Sequence, residues 1–105
     1  MPRFLYIFSY QTPEQMRAAG VSTAPEEACR AVFIEARTEE EALTWGREVS
    51  EEYVRRLFKE NAPSWKAQGF VHSIEREPEQ EYPAAVLSEL PVVAVGVHPN
   101  FDEPK

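Results

Sequence analysis

Several residue types that would indicate particular classes of protein are scarce in this sequence. It contains one cysteine, Cys29, so no intramolecular disulfide framework can form. Its four glycines are isolated from one another, which excludes the glycine-rich loop that binds phosphate groups. Its two histidines, His72 and His98, show no metal-ligand spacing with Cys29. The sequence therefore predicts neither a metal site nor a cofactor.

Basic residues and long hydrophobic runs are also few. The 11 lysines and arginines, against 18 acidic residues, are too few for the basic stripe that a nucleic-acid backbone requires. The apolar run from Phe4 to Phe8 is too short for a signal peptide or a membrane span. We therefore expect a cytoplasmic protein with no nucleic-acid or membrane partner. The net charge of −7 fits either a solubilising surface or a basic protein partner.

The strongest pattern in the chain predicts one long helix over residues 39–60. Thr38 is placed to cap it, and Glu41 completes a capping box three residues later. Apolar residues then recur at steps of three and four, which gives the helix one core-facing side. The predicted apolar stripe comprises Ala42, Leu43, Trp45, Gly46, Val49, Tyr53, Val54, Leu57 and Phe58.

The nine prolines mark the boundaries of the other predicted elements. In chain order these are a strand over 3–10, a short helix over 13–19 capped by Thr12 and Gln15, a loop over 21–27, a strand over 29–37, the long helix, a strand over 70–75, an acidic loop over 77–83, helical turns within 84–90, a strand over 92–97 and a loosely held tail from about residue 98.

This order of elements resembles the ferredoxin-like α+β sandwich. It implies a single domain over residues 1–105, with a four-stranded antiparallel sheet, the long helix on one face and short peripheral helices. A right-handed strand–helix–strand connection leaves a place between its two parallel strands. The first strand is apolar on both faces, so we expect it to fill that central place.

Alternation along the strands predicts an aromatic face that the long helix does not cover. Leu5, Ile7, Val32 and Ile34 suit the helix side, together with His72 and its neighbours Phe70 and Ile74. Such an aromatic face is too large to leave in water on a monomer. Three covers remain open: the short helix with segment 78–90, a second copy as in dimeric α+β barrel proteins, or a ligand or partner chain. The predicted interface residues on this face are Phe4, Tyr6, Phe8, Tyr10 and Phe33.

Two classes of function are compatible with these features. The first is a non-catalytic binding or regulatory protein, a homodimer through its aromatic face, whose acidic surface suits a basic protein partner. Trp65, in a connection after the long helix, is a further candidate contact, although packing over the helix end is the role we expect first. The alternative is a cofactor-free enzyme or ligand-binding protein of the dimeric α+β barrel type. Its helix–sheet pocket would use His72 as a base, with Tyr6 or Tyr10 orienting a small substrate.

Overall fold

The structure is a computed structural model that describes residues 2–18, 27–60 and 62–101. It is a small α+β fold in which one long helix packs on a four-stranded sheet. The predicted loop over 21–27 lies outside the described residues except for Glu27. The elements are β1 (Arg3–Tyr10), α1 (Pro13–Ala18), β2 (Ala28–Glu35), α2 (Glu39–Phe58), a 3₁₀ turn (Lys66–Gln68), β3 (His72–Glu75), α3 (Pro78–Glu81), α4 (Ala84–Leu87) and β4 (Val92–Ala94).

The strands are arranged in the order β3-β1-β2-β4. β1 lies between β2 and β3, the two strands that α2 connects, which confirms its predicted central place. The prediction of a fully antiparallel sheet is wrong, because β4 pairs with β2 in parallel. β3 and β4 lie at opposite edges of the sheet, and residues 76–91 are long enough to cross it and return the chain in the same direction.

Both predicted N-caps are present, and the box at Thr12 is complete, whereas at α2 the Glu41 carboxylate bonds to the residue before the cap. The Thr38 hydroxyl accepts a hydrogen bond from the Glu41 N–H at 3.1 Å, and the Glu41 carboxylate accepts one from the Arg37 N–H at 3.1 Å. At the start of α1, the Gln15 N–H donates to the Thr12 hydroxyl and the Thr12 N–H donates to the Gln15 side chain. These local contacts explain why both helices begin where the sequence predicts.

Several element boundaries differ from prediction, among them the end of β2 at Glu35 and the start of β3 at His72. The acidic segment predicted as a loop contains a helical turn, α3, opened by Pro78. β4 ends at Ala94 because the chain then turns through Gly96, whose φ is +94°. α2 ends at Phe58, where the Lys59 N–H donates to the Arg55 carbonyl at 3.1 Å.

The predicted faces of β1 are wrong. Tyr6 pairs with Val32 across β1 and β2, and directly opposed residues point to the same side of a sheet. The rings of Phe4, Tyr6, Phe8 and Tyr10 therefore lie on the α2 side of the sheet with Val32. Leu5 pairs with Phe33, and both lie on the open face, which is the face turned away from α2. Both faces of β1 carry apolar side chains. Alternation of apolar and polar residues therefore could not show which face meets α2.

The core lies between α2 and the sheet. Tyr6 and Phe8 are fully buried, and Gly46 of α2 lies against the Tyr6 ring. His72 and Ile74 share this face, as predicted, because they pair with Phe8 and Tyr6. The buried residues of this core cluster are Tyr6, Phe8, Tyr10, Val32, Ile34, Ala36, Ala42, Val49, Tyr53, Val54, Trp65, Val93 and Phe101.

The segment from His98 to Phe101 packs against the core, so the expectation of a loose tail does not apply to it. Phe101 is 7% exposed and contacts the rings of Phe8 and Tyr53 edge-on. Trp45 on α2 donates to the Val97 carbonyl at 2.9 Å, and its ring lies 4.8 Å from that of His98. Residues 102–105 of the predicted tail lie outside the described residues.

Candidate binding groove

A groove of about 820 Å³ lies over the open face of the sheet. Its floor is formed by Leu5 and Ile7 of β1 and by Ala31 of β2. One wall comes from the segment between β3 and β4, through Leu87 and Leu90. The groove exists because that segment must cross the open face to reach the β2 edge. Its volume lies within the ~300–1,000 Å³ typical of small-molecule sites.

The covering segment protects the open face without sealing it. Neither α3 nor α4 contains a buried residue. Tyr82 and Val86 line the groove and remain 37% and 47% exposed. The sequence left three possible covers for this face. The segment over 78–90 therefore covers it in part, and apolar surface beside the segment remains accessible.

Polar groups are gathered where the groove passes the edge of β2. Cys29, Arg30 and Asn100 line this end, next to Phe101. Cys29 is exposed, and its sulfur lies 3.7 Å from the Ser9 hydroxyl oxygen. Glu89 also lines the groove and is exposed. An apolar floor with a few polar groups at one place is the usual design of a binding site that fixes the orientation of its ligand.

Arg30 is held in place by aromatic residues. Its Nε donates to the Tyr53 hydroxyl at 3.2 Å, and its Cζ lies 5.6 Å and 5.7 Å from the ring centroids of Tyr53 and Phe101. Tyr10 and Tyr53 share a hydrogen bond of 3.1 Å. Burial, with the Tyr10 contact, raises the pKa of Tyr53 to about 12. Burial opposes the charge of Arg30, but hydrogen bonds to Tyr53 and Tyr10 raise its pKa. Arg30 thus remains a cation.

Tyr6 is committed to a hydrogen-bond chain inside the core. The Ser50 hydroxyl donates to the Gly46 carbonyl at 2.9 Å, and the Tyr6 and Ser50 hydroxyl oxygens are 2.8 Å apart. Since the single Ser50 proton is used by that carbonyl, Tyr6 must be the donor to Ser50. Burial raises the pKa of Tyr6 well above its usual range. Its hydroxyl is therefore held as a neutral donor.

The three residues of the alternative catalytic prediction are not brought together in the groove. His72 packs between the rings of Tyr6 and Trp65, at 6.1 Å and 5.3 Å. Tyr6 bonds to Ser50 and Tyr10 bonds to Tyr53. None of these three predicted residues lines the groove.

Trp65 does not offer a surface to a partner. It is 2% exposed, and its indole N–H donates to the Ser9 carbonyl at 2.8 Å. Its ring packs edge-on against Phe8. Of the two roles open from the sequence, the structure therefore favours packing over a partner contact, because the connection after α2 folds back onto the end of β1.

Sequence reasoning missed most of the groove. Along the sequence, Cys29 indicates only that a disulfide framework and a metal site are absent, and no pattern distinguishes Arg30 from the other arginines. A signal was present in segment 84–90, where Val86, Leu87 and Leu90 supply apolar surface to a short element. What it packs on depends on the sheet topology, which the sequence does not state.

In the ranges that the structure describes, no three His, Cys, Asp or Glu side chains gather to hold a metal ion. None of the helices in those ranges is both long and apolar enough to cross a membrane.

The chain matches no protein-family model, no curated protein and no solved structure. Its function must therefore be argued from the groove itself.

Proposed function

We propose that this protein acts by binding a small, largely apolar molecule in the groove over the open face of its sheet. The observation that carries the proposal is a cavity of about 820 Å³ with an apolar floor of Leu5, Ile7 and Ala31. Burying apolar ligand surface there contributes a favourable binding free energy of ~25 cal/mol per Å² of surface removed from water. The incomplete cover by α3 and α4 leaves an entrance for such a ligand.

The composition of the groove supports binding over catalysis. Nucleophilic catalysis needs a base within hydrogen-bond reach of the nucleophile. The side-chain neighbour of Cys29 within the described chain is the Ser9 hydroxyl at 3.7 Å, which is not a base at neutral pH. The enzyme alternative, with His72 as the base, receives less support because the hydroxyls of Tyr6 and Tyr10 are engaged inside the core.

A homodimer formed through the open face is a second candidate. Val86 on α4 and Val92 on β4 are 47% and 41% exposed, and Val92 shares the face of its partner Phe33. Two copies meeting there would remove this apolar surface from water. If the protein also has a larger partner, its net charge of −7 favours a basic protein, and that binding would weaken steeply with salt.

Two valine-to-glutamate substitutions, one at the groove and one away from it, test whether the groove binds a ligand. Val86→Glu places a carboxylate at the groove, whereas Val97→Glu changes a valine of similar exposure that does not line it. We expect Val86→Glu to weaken binding of the neutral dye Nile red at least about tenfold, because a charge resists burial. Fluorescence titration measures the affinity. Equal affinities in both variants, or no dye binding by the native chain, would overturn the proposal.

The same pair of variants tests the homodimer. Light scattering over a concentration series should give twice the monomer mass for the native chain and for Val97→Glu. Val86→Glu should shift the mass toward the monomer, because it places two carboxylates in the shared interface. A native chain that stays monomeric throughout the series would contradict the second candidate.

A further inference from the structure

At the β2 edge the groove meets a cation that lacks an acidic partner among the described residues. This cation is Arg30, which pairs with Phe8 and therefore extends from the α2 side of the sheet to the end of the groove. Five other arginines, at positions 3, 17, 55, 56 and 76, form ion pairs with glutamates. Arg30 is less exposed than these, yet no carboxylate among the described residues lies within ion-pair distance of it. Arg37 and Arg47 also lack such a partner among the described residues, but both are exposed to water, whereas Arg30 is half-buried. A half-buried guanidinium is most stable when a carboxylate or phosphate accepts its N–H groups.

The geometry of Arg30 leaves its outer nitrogens available. Nε is used by the Tyr53 hydroxyl, and the flat guanidinium is held near the rings of Tyr53 and Phe101. These contacts fix the position of the cation. Because Nε is used by Tyr53, the hydrogen bond to Tyr10 takes one of the four Nη hydrogens and leaves three for another acceptor. The two Nη groups form the part of the fork that binds both oxygens of a carboxylate.

The neighbouring strand edge adds backbone donors at the same end of the groove. The Phe33 N–H donates to the Pro91 carbonyl, so it points away from β1 toward β4. Alternate residues of a strand direct their N–H groups to the same side, which places those of Cys29 and Ala31 on this outer edge. β4 pairs with β2 only from Phe33 to Glu35, and no described strand pairs with Cys29 and Ala31 on this outer side.

We propose that the groove binds a carboxylic acid with an apolar body, whose carboxylate is received by Arg30 at the β2 edge and whose body lies over Leu5, Ile7 and Leu87. This inference rests on the proposed binding function and names the class of ligand. Charge complementarity selects the acid over a neutral apolar molecule, and the aromatic support of Arg30 means that little side-chain freedom is lost on binding.

Glu89 and Arg30 should have opposite effects on the affinity for an acid. The Glu89 carboxylate lines the same groove and repels an anionic ligand, although its exposure to water weakens that repulsion. Removing the Glu89 charge should therefore tighten binding of an acid, and removing the Arg30 charge should weaken it. Neither change should affect a neutral ligand of the same length.

Octanoate and octan-1-ol are the probes that separate these effects. Calorimetric titration should show octanoate binding about ten- to a hundredfold tighter than octan-1-ol to the native protein, the range that a charge-assisted hydrogen-bond pair gives. Arg30→Met should abolish this preference while octan-1-ol binding persists. Glu89→Gln should tighten octanoate binding about twofold or more. Arg76→Met, at an exposed arginine that does not line the groove, is the matched control and should leave both affinities unchanged.

Cys29 provides a second readout at the site. It is exposed and lines the groove, so bound octanoate should slow its alkylation by iodoacetamide at ligand concentrations where octan-1-ol does not. If Arg30→Met fails to fold, Arg30→Lys keeps the charge and loses the fork, and it should give an intermediate preference. Equal binding of acid and alcohol by the native protein would overturn the carboxylate inference and leave the apolar groove standing. Failure of both probes and of Nile red would overturn the proposed function as well.

Discussion

A glycine in the middle of α2 allows the helix to approach β1 closely. A Cβ atom added to Gly46 would lie 2.4 Å from Cδ1 and Cε1 of the Tyr6 ring, which is far inside van der Waals contact. Tyr6 cannot move easily, because its hydroxyl donates to Ser50 and its ring packs against Phe8. The predicted apolar stripe is thus correct at Gly46, but the reason for glycine there is a contact with another element.

Gly46→Ala should therefore destabilise the protein despite the better helix propensity of alanine. Propensity alone would stabilise the helix by ~1 kcal/mol, whereas overpacking costs ~1–3 kcal/mol. We expect the steric cost to exceed the gain, since the conflict is with a fully buried ring. Chemical denaturation measures the change, with Thr44→Ala at an exposed position of the same helix as the control. A more stable Gly46→Ala variant would show that α2 can move away from β1.

At the scale of elements, local signals predicted the starts of helices well and the ends of strands less well. The N-caps of α1 and α2 depend on residues within three or four positions of one another, so the sequence contains all the information needed. The strand edges depend on pairing between distant segments. β4 is shorter than predicted because the chain turns at Gly96. Segment 98–101 packs against the core, where a loosely held tail was expected.

Phe101 is expected to be the main anchor of that C-terminal segment. Its ring packs between Phe8, Tyr53 and the Arg30 guanidinium. Phe101→Ala should lower the free energy of unfolding by ~3 kcal/mol or more, while Phe101→Leu should cost less than ~1.5 kcal/mol because it keeps apolar volume. Urea denaturation measures both changes. Similar values for the two variants would contradict a packing role for the ring.

For the whole molecule, two buried tyrosines predict how stability depends on pH. The usual tyrosine pKa is 10.0, and burial raises that of Tyr53 to about 12 and that of Tyr6 as well. Above pH 10 the unfolded chain loses these protons while the folded chain keeps them. Because the folded state then binds more protons, stability is fully present below pH 10 and is lost as the pH rises toward 12.

The expected slope in this window is at most ~1.4 kcal/mol per pH unit for each tyrosine. Denaturation measured between pH 8 and pH 12 gives the profile. Tyr6→Phe removes one of the two titrating phenols, so its stability should fall less steeply above pH 10. It should also be less stable near neutrality, since Ser50 loses a partner. Parallel profiles for the native chain and Tyr6→Phe would contradict the prediction.

The amino-acid sequence alone predicts the α+β class, the long helix with its buried side, and the place of β1 between β2 and β3. These follow from hydrophobic period, capping residues and the handedness of strand–helix–strand connections, all of which are readable along the chain. Three features appear only in the folded chain: the face of β1 that meets α2, the parallel direction of β4 beside β2, and the groove that ends at Arg30. Each of these depends on the register between strands or on the path of the segment that covers the open face. Neither can be read from the sequence, because both faces of β1 are apolar and the pairing joins residues far apart in the chain.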